Sequence, residues 1–213
     1  MKLLHIKASP RDERSHSLRA AKGFLASLRK RCSSIEVTEL DVWQADLPSF
    51  DGALLDAKYA RLARREFTEE QANAWGKVES LVRELDDAEI VLISTPMWNL
   101  SIPYRLKHYI DLVTQPGVSF IFDPQTGYTP LLGSRPVFAI LASSGDFADG
   151  PSWGRPDLAS SYLRQALKFI GLVDAEIVLL GPTIGSGEAV QAAADLVQEK
   201  LTSFVDQLVG TQG

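Results

Sequence analysis

Glu89-Ile90-Val91-Leu92-Ile93-Ser94-Thr95-Pro96-Met97-Trp98-Asn99-Leu100-Ser101-Ile102-Pro103 is the most telling stretch of this chain. Ile90 to Ile93 are aliphatic without interruption, so the strand predicted over Glu89–Ser94 lacks the polar alternation of a half-exposed strand. Such a run is buried on both faces, as a central strand of a parallel sheet is. The sequence then turns helical: Pro103 fits the first turn of a helix running to about Val113, where no backbone donor is needed.

The same alternation recurs on both sides. Upstream lie a strand over Lys2–Ala8, a loop over Ser9–Ser17 and a helix from about Ser17 to Arg31. A second strand over Ser34–Leu40 is marked by Ile35, Val37 and Leu40. An irregular segment, Asp41–Gly52, leads into helical sequence through Ala53–Leu85. Downstream, strands over Pro136–Leu141 and Ala175–Leu180 alternate with helices over Asp157–Ile170 and about Glu188–Leu208. Five strands alternating with helices predict a doubly wound parallel sheet with helices on both faces. Nothing repeats or reads as a linker, so one domain is expected over residues 1–213. Gln115–Gly133 is a long insertion with turn signals at Pro116-Gly117 and Gln125-Thr126-Gly127. It reads either as a hairpin or as an excursion over a ligand site.

Composition narrows the function. With 213 residues and 45% hydrophobic content the chain buries a core that needs no staple. A net charge of −5 with scattered basic residues opposes a nucleic-acid partner. The densest basic cluster, Arg61 to Arg65, reads as a solvated helix face. Cys32 is the only cysteine, so no intrachain disulfide forms, which suits a reducing cytoplasm. The amino terminus lacks the layout of a signal peptide, and no apolar run is long enough to span a membrane. No histidines or carboxylates show metal spacing, and neither a phosphate-binding G-x-x-x-x-G-K-[ST] loop nor a G-x-G-x-x-G turn is present.

In an open α/β sheet, ligands bind beyond the carboxyl ends of the strands. Three loops therefore matter. In Ser9-Pro10-Arg11-Asp12-Glu13-Arg14-Ser15-His16-Ser17, hydroxyls of Ser9, Ser15 and Ser17 precede a helix N-terminus, where N–H groups and the dipole favour an anion. The plain alternative is that Ser15 or Ser17 only caps the helix. In the second loop Met97, Trp98 and Leu100 offer walls for a flat ring and Asn99 a polar partner. The alternative there is a turn whose Trp98 and Leu100 return to the core. The third, Ser143-Ser144-Gly145-Asp146-Phe147, combines hydroxyls with a glycine that permits close backbone approach. His5 reads as structural and His108 as a surface or interface residue.

Together these loops resemble the FMN-dependent NADH azoreductases and NAD(P)H quinone reductases. The resemblance is carried by Ser9-x-Arg11-x-x-x-Ser15-x-Ser17, by Pro96-Met97-Trp98-Asn99-Leu100 with Ile102-Pro103 and Leu106-Lys107-x-x-Ile110-Asp111, and by Ser143-Ser144-Gly145. It extends in order through Gly127…Leu131-Leu132-Gly133 and Gly171-Leu172-x-Asp174, and so covers the whole chain. It departs from the family pattern at Asp146, where many relatives carry a second glycine. It departs again in Ser119-Phe120-Ile121-Phe122, where many place a basic residue.

The resemblance implies a flavodoxin-like, cytoplasmic homodimer with one FMN per subunit and active sites at the subunit interface. Ser9, Ser15, His16 and Ser17 would hold the phosphate. Pro96, Met97, Trp98, Asn99 and Leu100 would line the isoalloxazine, with Ser143, Ser144, Gly145 and Asp146 completing its polar contacts. Phe120 and Phe122 would belong to the substrate pocket. NADH or NADPH would reduce the flavin, and quinones or azo compounds would reoxidise it by two-electron ping-pong transfer with no dedicated catalytic side chain. The rivals are an FAD-dependent quinone reductase of the same fold and a flavodoxin-like electron carrier without turnover.

Overall fold

A computed structural model describes residues 1–210. In chain order they form β1 (Lys2–Lys7), α1 (His16–Arg31), β2 (Glu36–Asp41), α2 (Gly52–Leu62), α3 (Glu69–Asp86), β3 (Ile90–Pro96) and α4 (Tyr104–Val113). β4 (Phe120–Asp123), β5 (Gly127–Pro130), β6 (Val137–Ala142), α5 (Leu158–Ile170), β7 (Ala175–Leu180) and α6 (Gly187–Gly210) complete the order. The aliphatic run lies in β3, at the centre of a sheet ordered β2-β1-β3-β6-β7. All four pairings are parallel.

The unbroken apolarity of β3 has a direct cause. Val91 and Ile93 point into one core, with Trp75, Leu85, Leu106 and Leu163. Ile90 and Leu92 point into the other, with Phe24, Leu28, Leu201 and Val205. Successive side chains alternate faces, and both faces are covered by helices, so neither register position tolerates a polar residue. The chain leaves β1 for β2 on one side and returns to β3 on the other. Strand order therefore reverses between β1 and β3, and a crevice opens at their carboxyl ends.

Two expectations need correction. The helix expected continuously over Ala53–Leu85 is two helices, broken at 63–68. Arg64 takes a left-handed φ of 53° there. Thr68 caps α3 by accepting from the Gln71 N–H, while the Gln71 side chain accepts from the Thr68 N–H. This capping box is a readable start signal for α3, set in a mostly polar stretch, Arg64 to Gln71, that suits a helix or a connection alike. The Arg61–Arg65 cluster is accordingly not one helix face. Arg61 lies over the Trp75 ring at 5.6 Å and donates to the Gly117 carbonyl at 3.0 Å, whereas Arg64 and Arg65 lie beyond the helix end. Smaller shifts affect the second strand, which runs over Glu36–Asp41 rather than Ser34–Leu40.

The insertion resolves as a hairpin, with β4 and β5 antiparallel and Phe122 opposite Tyr128. It is fastened to the C-terminal end of α5. The Leu132 N–H donates to the Ile170 carbonyl at 3.1 Å, and Phe120 packs on Phe169 with ring centroids 4.9 Å apart. Gly171 makes this junction possible. Its φ is +113°, and a Cβ there would lie 2.0 Å from the Leu132 carbonyl oxygen. Gly171→Ala should therefore destabilise the protein by at least about 1–2 kcal/mol from backbone conformation alone. A urea midpoint equal to that of wild type would show that the hairpin yields freely at this point.

Candidate active site at the carboxyl edge

Backbone bonds tie the three loops into one rim. The Ala8 N–H donates to the Ser94 carbonyl at 2.8 Å, Met97 N–H to Ala142 at 2.7 Å and Ser143 N–H to Leu180 at 2.9 Å. In the first loop Ser9, Ser15 and Ser17 are all buried. The Ser15 hydroxyl accepts from the Leu18 N–H at 3.3 Å, so it does cap α1. It also lies 3.2 Å from the Ser17 hydroxyl. The N–H groups of His16 and Ser17 have no intrahelical partner. Arg19 has only donors, so its 2.9 Å bond to His16 Nδ1 fixes the imidazole with the proton on Nε2. Burial, with Arg19 and Arg11 adding to it, lowers the His16 pKa below its usual value, which favours this neutral donor form. Buried hydroxyls, free N–H groups and a neutral N–H donor at a helix N-terminus fit a phosphate monoester.

The second loop is a tight turn held in an uncommon conformation. Trp98 donates its N–H to the Ser101 carbonyl at 2.8 Å, and Ser101 returns the bond at 3.0 Å. Asn99 and Leu100 between them have φ of 48° and 70°. Asparagine tolerates that region; for leucine it costs about 1–2 kcal/mol. The strain is held in place by α5, whose Leu158 N–H donates to the Leu100 carbonyl at 3.1 Å. Trp98 does not return to the core. It is 36% exposed and rests on Trp43, with centroids 5.6 Å apart. Arg105 fixes that support by donating to the carbonyls of Val42 and Ala45 at 2.7 and 3.0 Å.

The third loop is braced from below. Thr183 donates to the Ser143 carbonyl through both N–H and Oγ1, at 2.9 and 2.8 Å. The Ser143 hydroxyl donates to the Gly145 carbonyl at 2.6 Å. Between the second and third loops lies a cavity of about 450 Å³ lined by Met97, Asn99, Leu100, Ser143, Ser144, Phe147 and Arg155. Apolar walls with a few convergent polar groups suit a flat heteroaromatic ring. A second hollow of about 380 Å³, among Trp98, Tyr104, Lys107 and Tyr162, shares Asn99 with it. Volume alone does not select this site. A cavity of about 540 Å³ lies over Phe138, Arg164 and Phe204, and one of about 340 Å³ touches Lys2, Glu36 and Arg83. Both lie toward the amino ends of the strands, away from the edge where ligands bind in such sheets.

Most residues singled out in the sequence come together here, but Phe120 and Phe122 do not. The hairpin sits at the opposite end of α5 from Leu158. A 13-residue helix separates the two by about 20 Å. Phe120 packs on Tyr128 and Phe169 of its own chain, so within one chain neither phenylalanine reaches the cavity. Trp43 reads in the sequence as one of several aromatics for a pocket, core or interface, and here it supports Trp98; three further contributors escaped sequence reading. Arg155 comes from an irregular segment, and Gly181 and Thr183 brace a loop some forty residues away. No local pattern marks them. His108, read as a surface or interface residue, is half-buried and bonds the Pro48 carbonyl at 2.9 Å. His5 Nε2 lies 2.9 Å from the Ser94 hydroxyl inside the sheet, the structural role expected.

A five-stranded parallel sheet with this switch point and these loops defines a flavodoxin-like protein. The family model described as flavodoxin-like fold matches residues 1–204. The chain is 42% identical over 200 residues to FMN-dependent NADH:quinone oxidoreductase 1 of Bradyrhizobium diazoefficiens, covering 94% of this chain and 96% of that one. It is 37% identical over 213 residues to FMN-dependent NADH:quinone oxidoreductase 3 of Pseudomonas fluorescens, covering 99% of each. It therefore belongs to the family of the FMN-dependent NADH:quinone oxidoreductases. Among solved structures, an FMN-dependent NADH-azoreductase of Bacillus anthracis in complex with FMN superposes with a TM-score of 0.83. That protein is 25% identical, and the match covers 96% of this chain and 100% of that one. No helix among the described residues is long and apolar enough to cross a membrane.

Proposed function

We propose that this protein is an FMN-dependent NADH:quinone oxidoreductase that also accepts azo compounds. The observation that carries this reading is a hydroxyl-lined helix N-terminus on the same carboxyl edge of the sheet as a ring-sized cavity between the loops after β3 and β6, in a chain of this family. Ser9, Ser15, His16 and Ser17 hold the FMN phosphate. Pro96, Met97, Trp98, Asn99 and Leu100 wall the isoalloxazine, and Ser143, Ser144, Gly145 and Asp146 complete its polar contacts. Bound FMN supplies two-electron redox chemistry. The chain's task is to anchor, orient and exclude water, so no acid–base triad is required. NADH or NADPH serves as donor in the cytoplasm, and flat acceptors follow it into the same pocket.

Purified protein reconstituted with FMN should show flavin absorption bands and oxidise NADH in the presence of a quinone. Initial-rate lines at varied donor and acceptor should be parallel. Intersecting lines would reject a shared pocket, and absence of FMN binding would reject the assignment itself. Gly181→Ala probes the brace beneath the third loop. A Cβ there would sit 2.2 Å from the Gly145 carbonyl oxygen and 2.8 Å from Ser143 Oγ. Overpacking of this kind costs about 1–3 kcal/mol. It should appear as weaker FMN retention with far-UV circular dichroism unchanged; unaltered retention would mean the Gly145 carbonyl position is immaterial.

A homodimer with shared sites accounts for the hairpin. Ile121, Phe122 and Tyr128 are 45%, 56% and 60% exposed, an apolar group left uncovered by its own chain. Phe122 from a second copy would wall the pocket that its own chain leaves open. A subunit carrying Ser15→Ala and Ser17→Ala, mixed with one carrying Phe120→Ala and Phe122→Ala, should regain activity in the heterodimer, where one site keeps both intact halves. A monomer in sedimentation, or no recovery on mixing, would count against the composite site.

A further inference from the structure

Arg155 is a charged side chain in the cavity that no part of the family resemblance uses. It follows a tight turn in which Ser152 and Arg155 exchange backbone hydrogen bonds at 3.1 and 3.0 Å. Trp153 and Gly154 take positive φ between them, at 54° and 76°. Nε is spent on the Ser152 carbonyl at 3.2 Å, which aims the guanidinium. Among the described residues the two terminal nitrogens donate to no protein acceptor, and Arg155 forms no ion pair. Asp146 and Asp157 lie close in sequence, and neither pairs with it. Asp157 accepts from the Ser160 N–H at 2.9 Å, and Asp146 from the Ala148 N–H at 2.9 Å.

The guanidinium rests against Gly145. A Cβ built there would lie 2.9 Å from Nη2 and 2.3 Å from Ser152 Oγ. Arg155 thus stands beside the loop that the FMN assignment sets against the polar edge of the ring, and it lines the same cavity as Ser143, Ser144 and Asn99. Arg155 is exposed and unpaired, so water serves its free nitrogens until an anion enters the cavity, where the aimed guanidinium offers a charge-assisted partner.

Resting on the FMN assignment above, we propose that Arg155 stabilises the reduced cofactor by facing the negative charge that reduction places on its pyrimidine edge. NADH gives the ring two electrons and one proton as a hydride and leaves as NAD⁺. Without a second proton, the reduced ring carries one negative charge shared between N1 and the adjacent carbonyl oxygen. A guanidinium at that edge favours the reduced form over the neutral oxidised form, so it acts on the potential before any acceptor binds.

The test is the two-electron midpoint potential of the FMN-loaded protein, measured without nicotinamide or acceptor, together with its affinity for sulfite. Sulfite adds to the ring and leaves the same edge negative. Arg155→Met should weaken sulfite binding about tenfold or more. It should lower the potential by about 30 mV for each tenfold loss of preference for reduced FMN. Arg155→Lys, which keeps a charge without the fork, should fall between the two. Wild-type potential and sulfite affinity in Arg155→Met, with only the KM for NADH or acceptor raised, would overturn the proposal and assign the guanidinium to a substrate anion. If Arg155→Met retains no FMN, Arg155→Gln and Arg155→Lys decide on the same two readouts. Wild-type protein that binds no FMN at all would instead overturn the cofactor assignment.

Discussion

Replacing Ser15 and Ser17 together by alanine should weaken FMN binding by roughly a hundredfold to ten-thousandfold. Each lost hydrogen bond to a charged phosphate is worth about 1.5–3 kcal/mol, and two such losses convert to that range of Kd. The cap adds a second effect, because the Ser15 hydroxyl also accepts from the Leu18 N–H. Removing a serine cap alone costs about 1 kcal/mol of stability. Ser15→Asp separates the two roles. Aspartate caps a helix as well as serine does, so the apoprotein should keep its stability, while the added negative charge should repel a phosphate. FMN titration by fluorescence quenching beside urea denaturation of the apoprotein reads both quantities. A Ser15→Asp protein that binds FMN as wild type does would leave Ser15 a cap and nothing more.

The second large effect concerns pH and arises away from the reaction. Burial between the sheet and its helices lowers the His5 pKa from 6.5 to about 4, with Lys7 adding to the shift while Glu39 and Asp41 oppose it. Above pH 6.5 the imidazole is neutral whether the chain is folded or not, and its titration costs no stability. Between pH 6.5 and about 4 the unfolded chain takes up a proton that the folded chain refuses, so stability falls. Below about 4 the loss is complete. At about 1.4 kcal/mol per unit it amounts to roughly 3 kcal/mol. The double variant His5→Leu with Ser94→Ala removes the titrating ring without orphaning its 2.9 Å partner. Urea denaturation of the apoproteins across about pH 4 to 7 should show wild type losing that stability and the variant losing less. Parallel profiles would mean that His5 is solvated enough to protonate in place.

Much of this protein is legible in its residues because the physics that fixes it is local. Ile90 to Ile93 announce a strand covered on both faces, and Pro103 announces the helix after it. Serines ahead of α1 mark an anion-friendly helix start, and two prolines delimit the ring-walling loop. The same locality misleads once. Residues 53–85 read as helical throughout, because Ala, Leu, Arg, Glu and Gln favour a helix on both sides of the break and propensity does not mark where one helix stops and the next starts. The signal that decides it, Thr68 with Gln71, rests on a single pair of residues and acts through backbone geometry.

The residues alone were enough for the five-stranded parallel sheet and the family, and they picked out the three loops. What those loops rest on emerged only from the way the chain packs. Gly181 supports Gly145, Trp43 supports Trp98, and the start of α5 holds Leu100 in a left-handed turn. Packing also carries Phe120 and Phe122 to the far end of α5, away from the cavity of their own chain. Hydrophobic pattern and capping are read over a few residues, because helices and strands repeat over that distance. Close approach between loops depends on how the sheet stacks segments far apart in sequence, and no short stretch of residues encodes it.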